Sequence, residues 1–168
     1  KVQELMLPKN DKSYENYLKL FTHRFKIGCS RHEALEQIQG FIDKSKPDLV
    51  GSFITSDRIK DSLRLILSDF LRSLKTIEKL KKEEFNFSDC SIMNCIYAGS
   101  FLYFKRNIEH ATLFVDKLFK LRGNVISISN ENKYLVAMRE NGEVLYSEAE
   151  IVELRSNVRI ERIFLLDK

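Results

Sequence analysis

Glycine and proline are scarce: 168 residues contain 6 Gly, 2 Pro and no Trp. No three glycines lie close together. This excludes a G-x-G-x-x-G turn or a P-loop within these residues, because both need clustered glycines to bring backbone N–H groups up to a phosphate. Any such cradle would lie outside them; the first residue is Lys1 rather than Met, and no stretch after it reads as a secretory signal. No apolar run approaches the roughly 20 residues of a membrane span. Cysteine is sparse too. Cys29, Cys90 and Cys95 form no C-x-x-C pair. An odd count without a secretory segment points to a reducing, cytoplasmic setting with thiols packed as small apolar side chains. His23, His32 and His110 lack ligand spacing, so no zinc site is expected.

Charge of one sign is also missing. Lys and Arg number 28 against 24 Asp and Glu, a formal +4, which is not the footprint of a nucleic-acid binder. The densest basic stretch, Lys75 to Lys82, is diluted by Glu78, Glu83 and Glu84 and reads as a solvated helix face. Hydrophobic residues make up 43%, which excludes disorder and gives enough apolar side chains for one core.

The first two-thirds has helical period. Tyr14, Tyr17, Leu18, Phe21 and Phe25 stripe one face, with His23 and Arg24 in the last turn. Ser30 and Glu33 form an S-x-x-E capping box ahead of Ala34, Leu35, Ile38, Phe41 and Ile42, and Lys46-Pro47 stops that helix. Ser56 is the expected N-cap of a long helix carrying Ile59, Leu63, Ile66, Leu67, Phe70, Leu74 and Ile77, with an exposed tail over 79–84. Residues 90–104 are apolar nearly all round and read as a buried central helix. Asn107 caps a further helix through Leu121, with Gly123 at its C′ position.

The last third changes character. Residues 124–129 read as a short strand. Tyr134–Met138 and Glu143–Ser147 flank Arg139-Glu140-Asn141-Gly142, a strong hairpin signal. Residues 158–166 read as a final strand with one end fully buried. Helices followed by strands give an α+β arrangement in the portion present, or a piece of a layered α/β protein. One domain, complete or partial, is expected over 1–168, with a helical region over 1–84 and a second region over 85–168.

Three blocks in 85–168 resemble the C-terminal half of the CofD/YvcK family, the 2-phospho-L-lactate transferases and their relatives. The first is Phe87-Ser88-Asp89-Cys90-Ser91-Ile92-Met93-Asn94-Cys95, then Ala98-Gly99 and Tyr103-Phe104. The second is Ile108-Glu109-His110-Ala111 with Leu121 to Ser129. The third is Tyr134 to Met138, Asn141-Gly142-Glu143-Val144, Ser147-Glu148 and Ile151, closing on Ile160 to Leu165. Upstream, Leu20-Phe21-Thr22-His23-Arg24-Phe25 is similar to a segment of the YvcK branch, and Pro47 to Leu74 stands where some relatives carry a helical insert. The resemblance implies a Rossmann-like fold and a nucleotide, nucleotide-sugar or otherwise phosphorylated ligand, with Mg²⁺ entering alongside its phosphates. It implies either transfer of a phosphorus-containing group or a regulatory binding role. Met93 and Ser147 stand where the family pattern has Gly; Met93, with the family's Gly-rich turn missing from these residues, favours binding over catalysis.

Each candidate site residue has two readings. Ser91 and Asn94 sit one helical turn apart. The resemblance has them contact a phosphate or ribose at a helix N-terminus; otherwise Ser91 is a cap and Asn94 a buried amide. Arg24 either grips a phosphate or carboxylate in two-pronged fashion or complements a helix dipole. Asn124, Asn130 and Asn132, with Ser127 and Ser129, are turn residues or a polar lip on a cleft. No Ser/His/Asp or Cys/His constellation marks a catalytic centre. The rival reading is a non-catalytic interaction module without a pocket, and the apolar final strand leaves room for a second copy of the chain.

Overall fold

A computed structural model describes residues 2–43, 53–123, 125, 133–153 and 156–167. They fall into two compact units, Lys1–Ser127 and Ile128–Lys168. The architecture is α+β: a set of helices and a small antiparallel sheet. The expected helix stop at Lys46-Pro47, the strand over 124–129 and the candidates Asn124 and Asn130 lie outside the described residues.

The first unit runs α1 (Val2–Met6), α2 (Tyr14–Thr22), α3 (Arg31–Asp43), α4 (Asp57–Lys81), α5 (Ile92–Tyr103) and α6 (Ile108–Leu118). The expected faces are the buried ones, except that Ile77 near the end of α4 is exposed. Ile59, Leu63, Ile66, Leu67, Phe70 and Leu74 of α4 point inward, and Ile92, Met93, Cys95, Ile96, Gly99 and Ser100 make α5 the most enclosed helix. The aromatic stripe is core: Phe119 sits edge-on to Tyr17 at 5.3 Å and to Phe21 at 5.0 Å between ring centroids. Gly99 has a packing reason. A Cβ there would lie 2.4 Å from the Ile66 carbonyl oxygen, so only glycine lets α5 approach α4 this closely.

The helix starts follow the capping rules. Ser30 N–H donates to Glu33 Oε2 at 2.9 Å, and Glu33 N–H donates back to Ser30 Oγ at 3.2 Å. Asn107 Oδ1 accepts from His110 N–H at 2.9 Å. Ser56 stands at the N-cap of α4, but its side chain makes no capping bond.

Two helix ends differ from expectation. α2 stops at Thr22 and His23 is already extended, because the backbone beyond it pairs elsewhere. α6 ends at Leu118, and Lys120, not Gly123, takes the left-handed position after its cap at φ 52°. The fold there closes with Leu121 N–H donating to the Asp116 carbonyl at 2.9 Å, a Schellman-type closure.

The second unit contains β1 (Lys133–Arg139), β2 (Val144–Leu145), α7 (Glu148–Glu153) and β3 (Ile160–Asp167), with sheet order β2-β1-β3 and both pairings antiparallel. The Asn-Gly hairpin forms as expected: Gly142 N–H donates to the Arg139 carbonyl at 2.9 Å, and Gly142 takes φ 82°. β1 is the central strand, and β3 pairs with it from Lys133↔Asp167 to Met138↔Arg162. The expected burial of one end of the final strand is wrong. All eight residues of β3 are exposed, because strand pairing satisfies the backbone but does not by itself cover a face of the strand.

Candidate functional site

The site is built where residues 23–25 meet the start of α5. Phe25 N–H donates to the Cys90 carbonyl at 2.9 Å, and Ile92 N–H donates to the His23 carbonyl at 3.2 Å. This short antiparallel bridge, Arg24 against Ser91, ends α2 and pins Arg24 beside the helix N-terminus. Asp89 just ahead has φ 56°, a left-handed backbone that Asp tolerates better than most residues. The turn aims its carboxylate at Arg24: Nε donates to Oδ1 at 2.7 Å and Nη2 to Oδ2 at 3.3 Å. Arg24 thus uses its two-pronged geometry on a carboxylate of its own chain rather than on a helix dipole. The Asp89 bond holds its guanidinium pKa above the usual arginine range.

Arg24, Ser91 and Asn94 line one cleft of about 430 Å³, with Glu4, Phe21, Thr22, Met93 and Tyr97. Three of the five ligand-binding candidates read from sequence are therefore brought together, although Arg24 and Ser91 are far apart in the chain. Their roles differ. Ser91 is buried. Its Oγ accepts from Met93 N–H at 3.2 Å and donates to the His23 carbonyl at 3.4 Å, so the hydroxyl is committed to capping. Asn94 is exposed, not a buried amide, and its side chain favours the Cys90 thiolate. Tyr97 supplies part-exposed aromatic surface, while Phe21 backs the cleft from the core. His23, behind the bridge, is part-buried between Phe25 and Phe53, and burial pushes its pKa down.

The two cysteines at this helix start are also close enough to shift each other's titration. Hydrogen bonds from Cys95 and Asn94 bring the Cys90 thiol down to about 7 against the opposing effect of burial. The hydrogen bond to Cys90, burial and the neighbouring charge push Cys95 up. This proximity was missed in the sequence, though its signal is present: Cys90 precedes the N-cap and Cys95 is the fourth residue of α5, positions whose side chains meet at a helix start.

Among the described residues no group of three or more His, Cys, Asp or Glu is placed to hold a metal, and no helix is long and apolar enough to cross a membrane. A second cleft of about 530 Å³ is more basic, with Arg58, Lys117 and Lys120 alongside Asp11, Ser56 and Ser62; sequence reading did not find it. Comparison with protein-family models, with curated proteins and with solved structures finds no match to this chain.

Proposed function

We propose that the cleft at the start of α5 binds a nucleotide-type or other phosphorylated ligand, as the resemblance to the CofD/YvcK family implies. The observation that carries this reading is the convergence of Arg24, Ser91 and Asn94 on one cleft. Tyr97, part-exposed, offers surface to a planar base, the exposed Asn94 amide supplies a donor and an acceptor, and Arg24 supplies charge for a phosphate. Because Asp89 already holds Arg24 and Ser91 is occupied by capping, a phosphate would have to displace or share the Asp89 carboxylate. That arrangement favours a binding or regulatory role over transfer of a phosphorus-containing group. Asp89 and Glu4 do not form a metal cage, so Mg²⁺ would arrive held by the ligand's phosphates and water. On this reading the small sheet belongs to a Rossmann-like layered fold.

The test is thermal shift against a panel of nucleotides and nucleotide-sugars, each with and without Mg²⁺. A ligand at one hundred times its dissociation constant adds about 2.7 kcal/mol of stability. Asn94→Ala should abolish the shift. A shift that survives in Asn94→Ala places binding elsewhere, the basic cleft being the first suspect. No shift across the panel favours the rival reading, a non-catalytic interaction module. Its supporting observation is the exposed apolar run Ile163, Phe164, Leu165 and Leu166 on β3, and a mass that rises with concentration in sedimentation would strengthen it.

A further inference from the structure

A pair of thiols at the start of α5 has chemistry that the cleft does not use. With Ser91 as the N-cap, Cys90 and Cys95 occupy the two positions that form a hydrophobic staple at a helix start, where side chains pack on each other. Here both are cysteine, and each thiol shifts the titration of the other, as only near neighbours do; the Cys90 thiol also donates to the Ser91 carbonyl at 3.5 Å. Cys95 is buried and Cys90 is part-exposed, and neither is cross-linked. Around Cys90 the Asn94 amide and the Arg24 guanidinium favour the thiolate, while burial and Asp89 oppose it. A thiolate at a helix N-terminus with a second thiol beside it is the arrangement that dithiol chemistry requires.

We propose that Cys90 and Cys95 form a redox-active dithiol, which a hydroperoxide converts into a disulfide across the first turn of α5. The Cys90 thiolate attacks one oxygen of the hydroperoxide. The S–O bond forms, the O–O bond breaks, and the departing alkoxide or hydroxide takes a proton from water. The Cys95 sulfur then attacks the Cys90 sulfenic acid. The S–S bond forms, the S–O bond breaks, and hydroxide leaves with the Cys95 proton as water. The two sulfurs together lose two electrons, and the hydroperoxide gains them. A dithiol reductant reverses the reaction. Cys29, part-exposed and held in the thiol form mainly by burial with help from Glu33, has no partner thiol at a staple position and serves as the internal control.

The experiment treats the folded protein with hydrogen peroxide in slight excess, then unfolds it, alkylates free thiols and digests it with trypsin. Cys90 and Cys95 lie in one tryptic peptide, residues 83–105, because no Lys or Arg falls between Lys82 and Lys105. The expected product is that peptide unalkylated and lighter by two hydrogens, with Cys29 still alkylated. Before oxidation, alkylation of folded protein at neutral pH should modify Cys90 about tenfold faster than Cys29. In Cys95→Ser, oxidation should stop at a Cys90 sulfenic acid that dimedone traps. The wild-type result stands even if that variant fails to fold. Full alkylation of both cysteines after peroxide would overturn the proposal, as would direct oxidation of Cys90 to the sulfinic acid. So would a disulfide that forms equally fast in urea, since the folded helix start would then contribute nothing.

Discussion

The helical unit and the sheet unit treat their apolar residues in opposite ways. In the first, Phe41, Phe87, Phe119, Leu20, Leu63 and Leu67 are almost wholly enclosed. In the second, β1 and β2 bury Val136, Ala137 and Leu145, while β3 leaves Ile163, Phe164, Leu165 and Leu166 between 40% and 61% exposed. A helix with an apolar stripe finds a neighbour for that stripe inside its own unit. An edge strand has a partner on one side only, and its side chains are covered only if something packs on the sheet faces. Apolar content therefore reports burial well in the helical unit and poorly in the sheet.

The largest effect that tests this contrast is a pair of truncations. Phe119→Ala removes a ring packed against Tyr17 and Phe21 and should cost about 3–5 kcal/mol. Phe164→Ala removes an exposed ring opposite Val136 and should cost about 1 kcal/mol or less. Urea unfolding followed by far-UV circular dichroism measures both. Equal losses would show that β3 is covered in solution and that the contrast is wrong.

Glycines sharpen the same comparison, because they serve different purposes in the two units. Gly99→Ala puts a methyl group onto the Ile66 carbonyl, which is backbone and cannot rotate away. It should cost about 1–3 kcal/mol although alanine is the better helix former. Gly142 has open space around it and needs only its left-handed φ of 82°. Gly142→Ala should cost about 1 kcal/mol, and Gly142→Asn less, because Asn tolerates that backbone. If Gly142→Asn proved as damaging as Gly99→Ala, the two glycines would not differ in the way the structure implies.

Legibility in the sequence divides along similar lines. Local signals were readable: the Ser30–Glu33 box, the Asn107 cap, the 3.6-residue stripe of α4 and the Asn-Gly hairpin each rest on neighbours within a few positions. One capping signal was overlooked. Ser147 and Glu150 repeat the S-x-x-E pattern and cap α7, with Glu150 N–H donating to Ser147 Oγ at 3.2 Å and Ser147 N–H to Glu150 Oε2 at 3.1 Å. Features that depend on distant partners were not readable. The early end of α2 is set by pairing with residues 90–92, the Arg24–Asp89 bond spans 65 positions, and the exposure of β3 depends on what lies beside it. Arg24, Ser91 and Asn94 were found as candidates through a resemblance, but only the fold shows that they share a cleft and that Ser91 is spent as a cap. The nearness of Cys90 to Cys95 was open to local reasoning, since it follows once Ser91 is taken as the N-cap.

The smallest expected effect concerns charge in the helical unit. Arg31 Nε donates to Glu78 Oε1 at 2.9 Å and Nη2 to Oε2 at 2.5 Å, and Phe85 N–H also donates to Glu78 Oε1 at 2.9 Å. One carboxylate thus ties the start of α3 to the last turn of α4 and to the chain beyond it. These bonds, with Arg31 the largest contributor, hold the Glu78 pKa below its ordinary value of 4.5. Its own capping bonds do the same for Glu33. As pH drops through the ordinary value, the unfolded chain takes up protons at these groups before the folded chain does. Stability is therefore present above that pH and falls progressively below it, until the folded-state groups are protonated as well. Urea midpoints measured from neutral pH down to about pH 3 should decline on the acid side, and Glu78→Gln should flatten that decline while lowering the midpoint modestly at neutral pH. An acid limb identical in Glu78→Gln would mean that the Arg31–Glu78 pair is too well solvated to link proton binding to folding, as most surface pairs are.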